Sequence, residues 1–347
     1  MGNCSGLHCR RERSMELKKD RRFDSMGAAH EGIKTVAIEK VCEFSTSSVT
    51  CVCIVTWNMN GKASSGDMAE LIGWHRRFDL LAVGLQEVPK HDVGVQLQAA
   101  LAETHRLLAA ATMQSLQLFV FGPKNSQPFA KETRVDKHAV RGCGGLVGRK
   151  KGAVGVHIEF NGIRMVFISC HLSGQSYRTV VCVLHAAHAR NVEERNSQCR
   201  HISHSLFAKD GNPCRRHCHV TVWMGDLNYR LQGISTHPAR SLIRKNLHNL
   251  LTSKDQLLRE AESGEVFDGY CEGSLSFKPT YKYDVGSNNY DTSYKVRVPS
   301  WTDRILFKID SSSGIDAALH SYESIDRVKT SDHKPVRAHL CLKVKSV

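Results

Sequence analysis

The chain has 347 residues, 41% of them hydrophobic, and 48 Lys and Arg against 34 Asp and Glu, for a formal net charge of +14. That apolar content suffices for the core of one large layered domain, which excludes a globally disordered chain, and no apolar run reaches the ~18 residues of a membrane-spanning helix. The charge favours an anionic partner, whether nucleic acid, a phosphorylated substrate or an acidic membrane face, without choosing among them.

Residues 1–48 are polar, charged and weakly periodic, and read as a flexible basic segment. They open Met1-Gly2-Asn3-Cys4-Ser5-Gly6, in which Gly2 is a candidate N-myristoylation site and Cys4 a candidate palmitate acceptor. Gly6 stands where the myristoylation pattern has Ser or Thr. An acyl chain followed by Arg10, Arg11, Arg13, Lys18, Lys19, Arg21 and Arg22 is a two-signal membrane anchor; the alternative is a plain basic tail.

From Val49 onward the pattern changes. Cys51–Trp57 reads as a buried strand, followed by a helix near Met68–Phe78, a strand at Leu80–Leu85, a helix near Gln96–Leu107 and a strand at Leu116–Phe121. Strands follow at Ala153–Phe160 and Arg164–Cys170, then a helix near His188–Phe207 and a strand at Val220–Met224. A long helix is expected over Ala239–Ala261, carrying Leu242, Ile243, Leu247, Leu250, Leu251, Leu257 and Leu258, before strands at Arg304–Ile309 and Val336–Leu342. Short strands interspersed with helices make residues 49–347 a layered α/β domain.

The 13 Cys are odd in number and scattered, and no apolar leader opens the chain, so a reduced intracellular protein is expected. Cys51, Cys53, Cys170 and Cys341 sit in apolar runs, where a thiol acts as a small hydrophobe. Cys214-Arg-Arg-His217-Cys218-His219 offers four sulphur or nitrogen ligands, but lacks the second ligand pair of a zinc finger and reads as a solvated loop.

Polar groups collect where strands stop: Asn58 and Asn60 after the first, Gln86-Glu87 after the second, His171 after another, and Asp226-Leu227-Asn228-Tyr229-Arg230 after a fourth. Pro299-Ser300-Trp301-Thr302-Asp303-Arg304 and Thr330-Ser331-Asp332-His333-Lys334-Pro335 add two more clusters. Ligands bind outside strand ends in open sheets, so these groups can converge. Carboxylates with amide oxygens suit Mg²⁺, and Asp with His suits water activation and stabilisation of a transferring phosphoryl group. Any one such segment is usually a turn; six beside buried strands are a pattern.

The six segments, with Phe277-Lys-Pro-Thr-Tyr-Lys-Tyr283, resemble the inositol polyphosphate 5-phosphatases, a branch of the endonuclease/exonuclease/phosphatase superfamily, from about Val49 to Leu342. Val147–Gly152 and Cys199–His204 look most like the plant members. The resemblance implies an α/β sandwich of two packed mixed β-sheets flanked by helices, and Mg²⁺-dependent removal of the 5-phosphate from phosphoinositides such as phosphatidylinositol 4,5-bisphosphate, by direct water attack. It implies Glu87 as the main Mg²⁺ ligand helped by Asn58, and His171 on the scissile phosphate. Asp226 would activate the water and Asn228 would orient it. His333 would hold the phosphate with its ring fixed by Asp303, and Asp332 would sit beside it. Tyr281, Lys282, Lys295 and Arg297 match positions that grip the neighbouring phosphate. Arg149, Lys150 and Lys151 depart from the animal pattern and face either a lipid headgroup or solvent.

One further departure stands out. Residues 174–186, between His171-Leu172-Ser173 and Ala187-His188, have no counterpart in the family pattern and include apolar Val180–Leu184. Loop insertion costs little closure entropy, so the fold tolerates it, while the geometry of His171 is at risk. Two other readings stay open: a nuclease of the same superfamily, which the charge suits, and a phosphoinositide-binding protein whose catalysis the insert has spoiled.

Overall fold

Two β-sheets pack face to face in the computed structural model, which describes residues 30–39, 49–73, 77–90, 92–124, 131–140, 151–174, 184–208 and 218–345. One sheet holds β1 (Lys34–Val36), β6 (Lys131–Ala139), β7 (Gly152–Phe160), β8 (Ile163–His171), β9 (Val220–Asp226), β10 (Cys271–Gly273) and β11 (Asp303–Ile309), in the order β1-β10-β11-β9-β8-β7-β6. The other holds β2 (Val49–Asn58), β3 (Leu80–Gln86), β4 (His105–Met113), β5 (Leu116–Pro123), β12 (Ile315–Ser324) and β13 (Val336–Val344), in the order β12-β13-β2-β3-β5-β4. Both sheets are mixed, with β2 parallel to β3 and β8 parallel to β9.

Each central strand is buried on both faces. Val52 and Ile54 of β2 meet Phe167, Val222 and Met224 of the facing sheet in the central core. The alternate residues Cys53, Val55 and Trp57 pack in a second cluster with Met68 and Leu71 of α1 (Ser65–Ile72) and Leu97 of α2 (Val93–Leu101). On the far side Val166, Ile168 and Trp223 join Ile202 of α3 (Leu184–Ser205) and Leu257 of α5 (Gln256–Glu262). Burial on two faces is why these strands read as continuous apolar runs.

Helix boundaries follow local chemistry. Ser64 and Asp67 form a reciprocal capping box at the start of α1, and Gly73 at φ 62° ends it, so it stops short of Phe78. The expected helix over Gln96–Leu107 ends at Leu101, and Leu107 belongs to β4. The single helix expected over Ala239–Ala261 is three pieces: α4 (Thr236–Arg244), a 3-10 helix (His248–Lys254) and α5. Asn246 at φ 57° breaks the run, and the Asp255 carboxylate starts α5 by accepting from Leu258 N.

Cys51 and Cys341 correct the reading of each as a lone apolar thiol. Antiparallel β2 and β13 bring them into register with Cα atoms 4.2 Å apart, and they form a disulfide. Cys170 remains a buried thiol and accepts from Trp223 Nε1. Cys218 and His219 hydrogen-bond to the β8–β9 backbone, and Cys214 and His217 lie outside the described residues. So do Gly2, Cys4, the basic residues after them, Arg149 and Lys150; of the 174–186 segment, Gly174 and the helix start at 184–186 are described. Among the described residues no helix is long and apolar enough to cross a membrane.

Candidate active site

The parallel pairs β2–β3 and β8–β9 deliver their C-terminal ends to one rim. Asn58 ends β2, Glu87 follows β3, His171 ends β8 and Asp226 ends β9. Asp303 opens β11 in register with Asp226, and His333 lies just ahead of β13. The sheets close tightly beneath this rim, where Gln86 Nε2 reaches Ser169 Oγ at 3.3 Å. A Cβ on Gly225, which sits at φ 146°, would fall 2.0 Å from the Cys170 carbonyl oxygen, so glycine is required beside Asp226. The six predicted strand-end segments therefore converge around a cavity of about 510 Å³.

Asp226 is the hub. Its Oδ2 accepts from Asn58 Nδ2 at 2.9 Å and lies 3.2 Å from His171 Nε2 and 3.9 Å from His333 Nε2; its Oδ1 accepts from Asn228 N. Burial alone would raise its carboxyl, but His171, His333 and Lys151 hold it far below the usual carboxylate range, as an anion. Burial and then Lys151 push His171 toward its neutral form against the pull of Asp226. His333 goes the other way. Burial opposes its charge, but the Asp303 carboxylate 2.9 Å from Nδ1, with Asp226 and Asp332, raises it to about 10. The rim thus pairs a buried carboxylate with a ring that its acidic neighbours hold toward the cationic form.

An Asp303→Asn variant separates these effects. Removing that charge lowers the folded-state pKa of His333 from about 10 toward its ordinary 6.5, so the ring loses its proton within the neutral range. Histidine NMR titration of the two proteins checks the direction, with an unchanged His333 midpoint as the refuting result.

Asn58, Glu87, His171, Asp226, Asn228, Tyr281, Lys295, Arg297, Asp332 and His333 all line the cavity. Asp303 does not: it is fully buried behind His333 and accepts from Thr280 and Thr302 hydroxyls. Lys282 also stands back from the lining, its Nζ 3.7 Å from the Asp291 carboxylate. The Tyr281 and His333 rings are tilted by 37° with centroids 4.4 Å apart, and the Arg230 guanidinium lies over the Tyr281 ring, 4.2 Å from its centroid. Sequence reasoning did not single out Arg195 and Arg230 as lining cations, and it left Lys151, whose Nζ contacts His171 Nε2, between two roles. Arg230 sits inside a recognised strand-end segment; Arg195 gives no local signal on its helix.

Glu87 adopts φ 52°, a left-handed conformation unusual for a non-glycine residue outside Asn and Asp, and costing ~1–3 kcal/mol. Such strain clusters at functional sites. Glu87, Asp226, Asp332 and Asn58 line the cavity and offer oxygen donors of the kind that a hard divalent cation takes, and among the described residues no Cys lines it. Asp226, Asp303 and His333 also bring ligand atoms within 4.8 Å of one another, but Asp303 is already engaged by two hydroxyls and the ring. The oxygen donors that remain open to the cavity are therefore those of Glu87, Asp226 and Asp332.

The sequence pattern of the Endonuclease/Exonuclease/phosphatase family 2 matches residues 55–339. The chain is 53% identical to the type IV inositol polyphosphate 5-phosphatase 11 of Arabidopsis thaliana over 345 residues, covering 99% of this chain and 98% of that one. It is 31% identical to the phosphatidylinositol 4,5-bisphosphate 5-phosphatase A of Rattus norvegicus over 84% of this chain, but spans only 31% of that larger protein. The crystal structure of the inositol polyphosphate 5-phosphatase domain of SPsynaptojanin, in complex with inositol (1,4)-bisphosphate and calcium ion, superposes with a TM-score of 0.69 at 25% identity, over 85% of this chain and 86% of that one. A Cimex nitrophorin shares the fold at a TM-score of 0.66 and 24% identity, covering 86% of this chain and all of that one.

Proposed function

The chain belongs to the inositol polyphosphate 5-phosphatases of the endonuclease/exonuclease/phosphatase family, and from that premise we propose that it removes the 5-phosphate of phosphoinositides, phosphatidylinositol 4,5-bisphosphate among them, by direct water attack with Mg²⁺ as cofactor. The observation that carries the reading is the buried Asp226 anion bonded to Asn58 and Asn228 between His171 and the cationic His333.

In this mechanism Asp226 takes the proton of, or orients, the attacking water, and Asn228 helps to fix that water and a phosphate oxygen. His171 and charged His333 hold the oxygens of the scissile phosphate, with Asp303 keeping the His333 ring fixed and protonated. Glu87, helped by Asn58, would hold Mg²⁺, with Asp332 nearby; the ion when bound supplies Lewis-acid neutralisation of developing oxygen charge. The neighbouring 4-phosphate is gripped by Tyr281, Lys295 and Arg297, which line the cavity, while Lys282 pairs with Asp291 behind them. That clamp on a vicinal phosphate argues against the nuclease reading. The partner is then an anionic lipid surface at the cytoplasmic side of a membrane, with the basic N-terminal segment and its candidate acyl sites Gly2 and Cys4 as a second attachment.

Phosphate release from lipid vesicles, with Mg²⁺ or with a chelator, tests the reading beside a DNA-cleavage control. Release that needs the metal supports it. Cleavage of DNA alone would establish the nuclease. Vesicle binding without turnover would leave a binding protein impaired by residues 174–186. Within the clamp, Lys295→Glu with Arg297→Glu should raise KM for the bisphosphate lipid at least ~10-fold, since hydrogen bonds to charged groups contribute ~1.5–3 kcal/mol each. Steady-state kinetics against a substrate lacking the 4-phosphate is the check, because that substrate should be affected far less.

A further inference from the structure

The loop that carries Lys295 and Arg297 has a feature that the phosphate grip does not explain. Between these cavity-lining cations and just before them it presents apolar side chains to solvent. Tyr294 is 89% exposed, the most exposed large apolar side chain among the described residues, and Val296, itself at the cavity lining, is 43% exposed. A single exposed apolar residue is ordinary. A pair of them on a braced loop at the mouth of the catalytic cavity is not.

The bracing is specific. The Asp291 carboxylate is nearly fully buried and holds both ends of the loop, with Oδ1 accepting from Ser293 N at 3.1 Å and Oδ2 from Arg297 N at 2.9 Å. Arg240 of α4 donates to the Asp291 carbonyl, and Thr236 at the start of α4 donates to the Val296 carbonyl at 2.9 Å. Val296 N donates back to Ser293 O at 3.0 Å. Val296 itself adopts φ 39°, an outlier for a β-branched residue, so the surrounding bonds over-determine this turn. A loop needed only to place two cations would be expected to carry polar residues at its apex.

We propose that residues 292–298 form the membrane-contact element of the enzyme, in which Tyr294, with Val296 beside it, enters the headgroup layer of an anionic bilayer while Lys295 and Arg297 pair with lipid phosphates at the cavity mouth. This rests on the phosphoinositide reading above and sharpens it: the loop, beside the cavity, brings the enzyme to a headgroup that is still part of a bilayer. Charge complementarity selects the bilayer as occupant, since Lys295 and Arg297 line the cavity and the whole chain carries +14. The chemistry of the tip agrees, because tyrosine has an apolar body and a polar end and concentrates at membrane–water interfaces. Continuity with the cavity means that a headgroup rising from the bilayer passes the loop before it reaches Asp226.

Tyr294→Ser and Tyr294→Trp test this in the full chain prepared without acylation, since the side chain is exposed and neither change should disturb folding. On phosphatidylcholine vesicles containing phosphatidylserine, the Ser variant should sediment about three- to tenfold less than wild type, and the Trp variant as much or more. On vesicles that also carry phosphatidylinositol 4,5-bisphosphate, kcat/KM should fall by the same factor for Ser and recover with Trp. Turnover of soluble inositol 1,4,5-trisphosphate should be unchanged for both. Equal vesicle binding by wild type and Ser overturns the proposal. So does an equal loss on lipid and soluble substrates, which would mark a pocket effect. If no variant turns over either substrate, the phosphoinositide reading fails, and vesicle sedimentation alone still decides the membrane contact.

Discussion

Asp226→Asn should lower turnover by roughly 10³–10⁴-fold, the upper range for loss of a positioned proton acceptor, while moving the unfolding midpoint by only a few degrees. The substitution keeps the shape of the side chain and removes its charge. In the wild type that charge is an acceptor for Asn58 Nδ2 and the Asn228 backbone, and faces two imidazoles within 4 Å. An amide in its place cannot accept a proton from water, and it leaves His333 with one fewer counter-charge. The fold should persist because the amide keeps the volume of the side chain, although it forfeits the net stabilisation that His171 and His333 give the buried anion. Single-turnover phosphate release and thermal unfolding on the same preparation settle the point. Turnover within tenfold of wild type would move water activation to another carboxylate, with Asp332 the next to test.

Arg304→Met should destabilise the fold by about 3–5 kcal/mol, the usual cost of removing one partner from a buried ion cluster. Arg304 is fully buried and chelates Glu272 through Nε at 2.6 Å and Nη2 at 2.5 Å, while Nη1 bonds Asp255 at 2.9 Å. Glu272 Oε1 also accepts from Tyr322 Oη on β12, and Asp255 caps α5. One guanidinium therefore ties β10 and β11 to the opposite sheet and to the helical layer. Its loss leaves two carboxylates unpaired out of water. In a domain of this size that corresponds to a midpoint lower by about 10 °C. Denaturant unfolding of Arg304→Met beside Arg304→Met/Glu272→Gln checks the cause: the double variant should recover part of the loss. An unchanged midpoint for the single variant would refute the account.

The sequence was most legible where physical demands were strongest. Strands buried on two faces had to be apolar throughout, so β2, β3, β8, β9, β11 and β13 stood out as runs. Edge strands did not. β6 is Lys-Glu-Thr-Arg-Val-Asp-Lys-His-Ala, and β12 buries only Ile315, Leu319 and Tyr322, so both blended with loops. The long helix over Ala239–Ala261 failed because leucine spacing was sustained across Asn246 and Asp255, whose backbone and capping roles interrupt it.

By itself the sequence determined the layered α/β class and the polar residues at the strand ends, because both depend on residue type beside a local apolar run; the two-sheet class came with the family resemblance that those segments carry. The tertiary structure decided what depends on register and approach. It paired Cys51 with Cys341, placed Asp226 among residues from three other segments, and turned Lys282 toward Asp291. It also brought Arg195 and Arg230 into the cavity and held Tyr294 outward on a loop pinned by Asp291. None of these contacts joins residues adjacent in the chain. The Asp226 cluster arises because parallel strand pairs from two sheets end at one rim, the disulfide because antiparallel β2 and β13 share a register, and the loop contacts because Asp291 is buried between its ends; each fixes distances that residue type and spacing leave free.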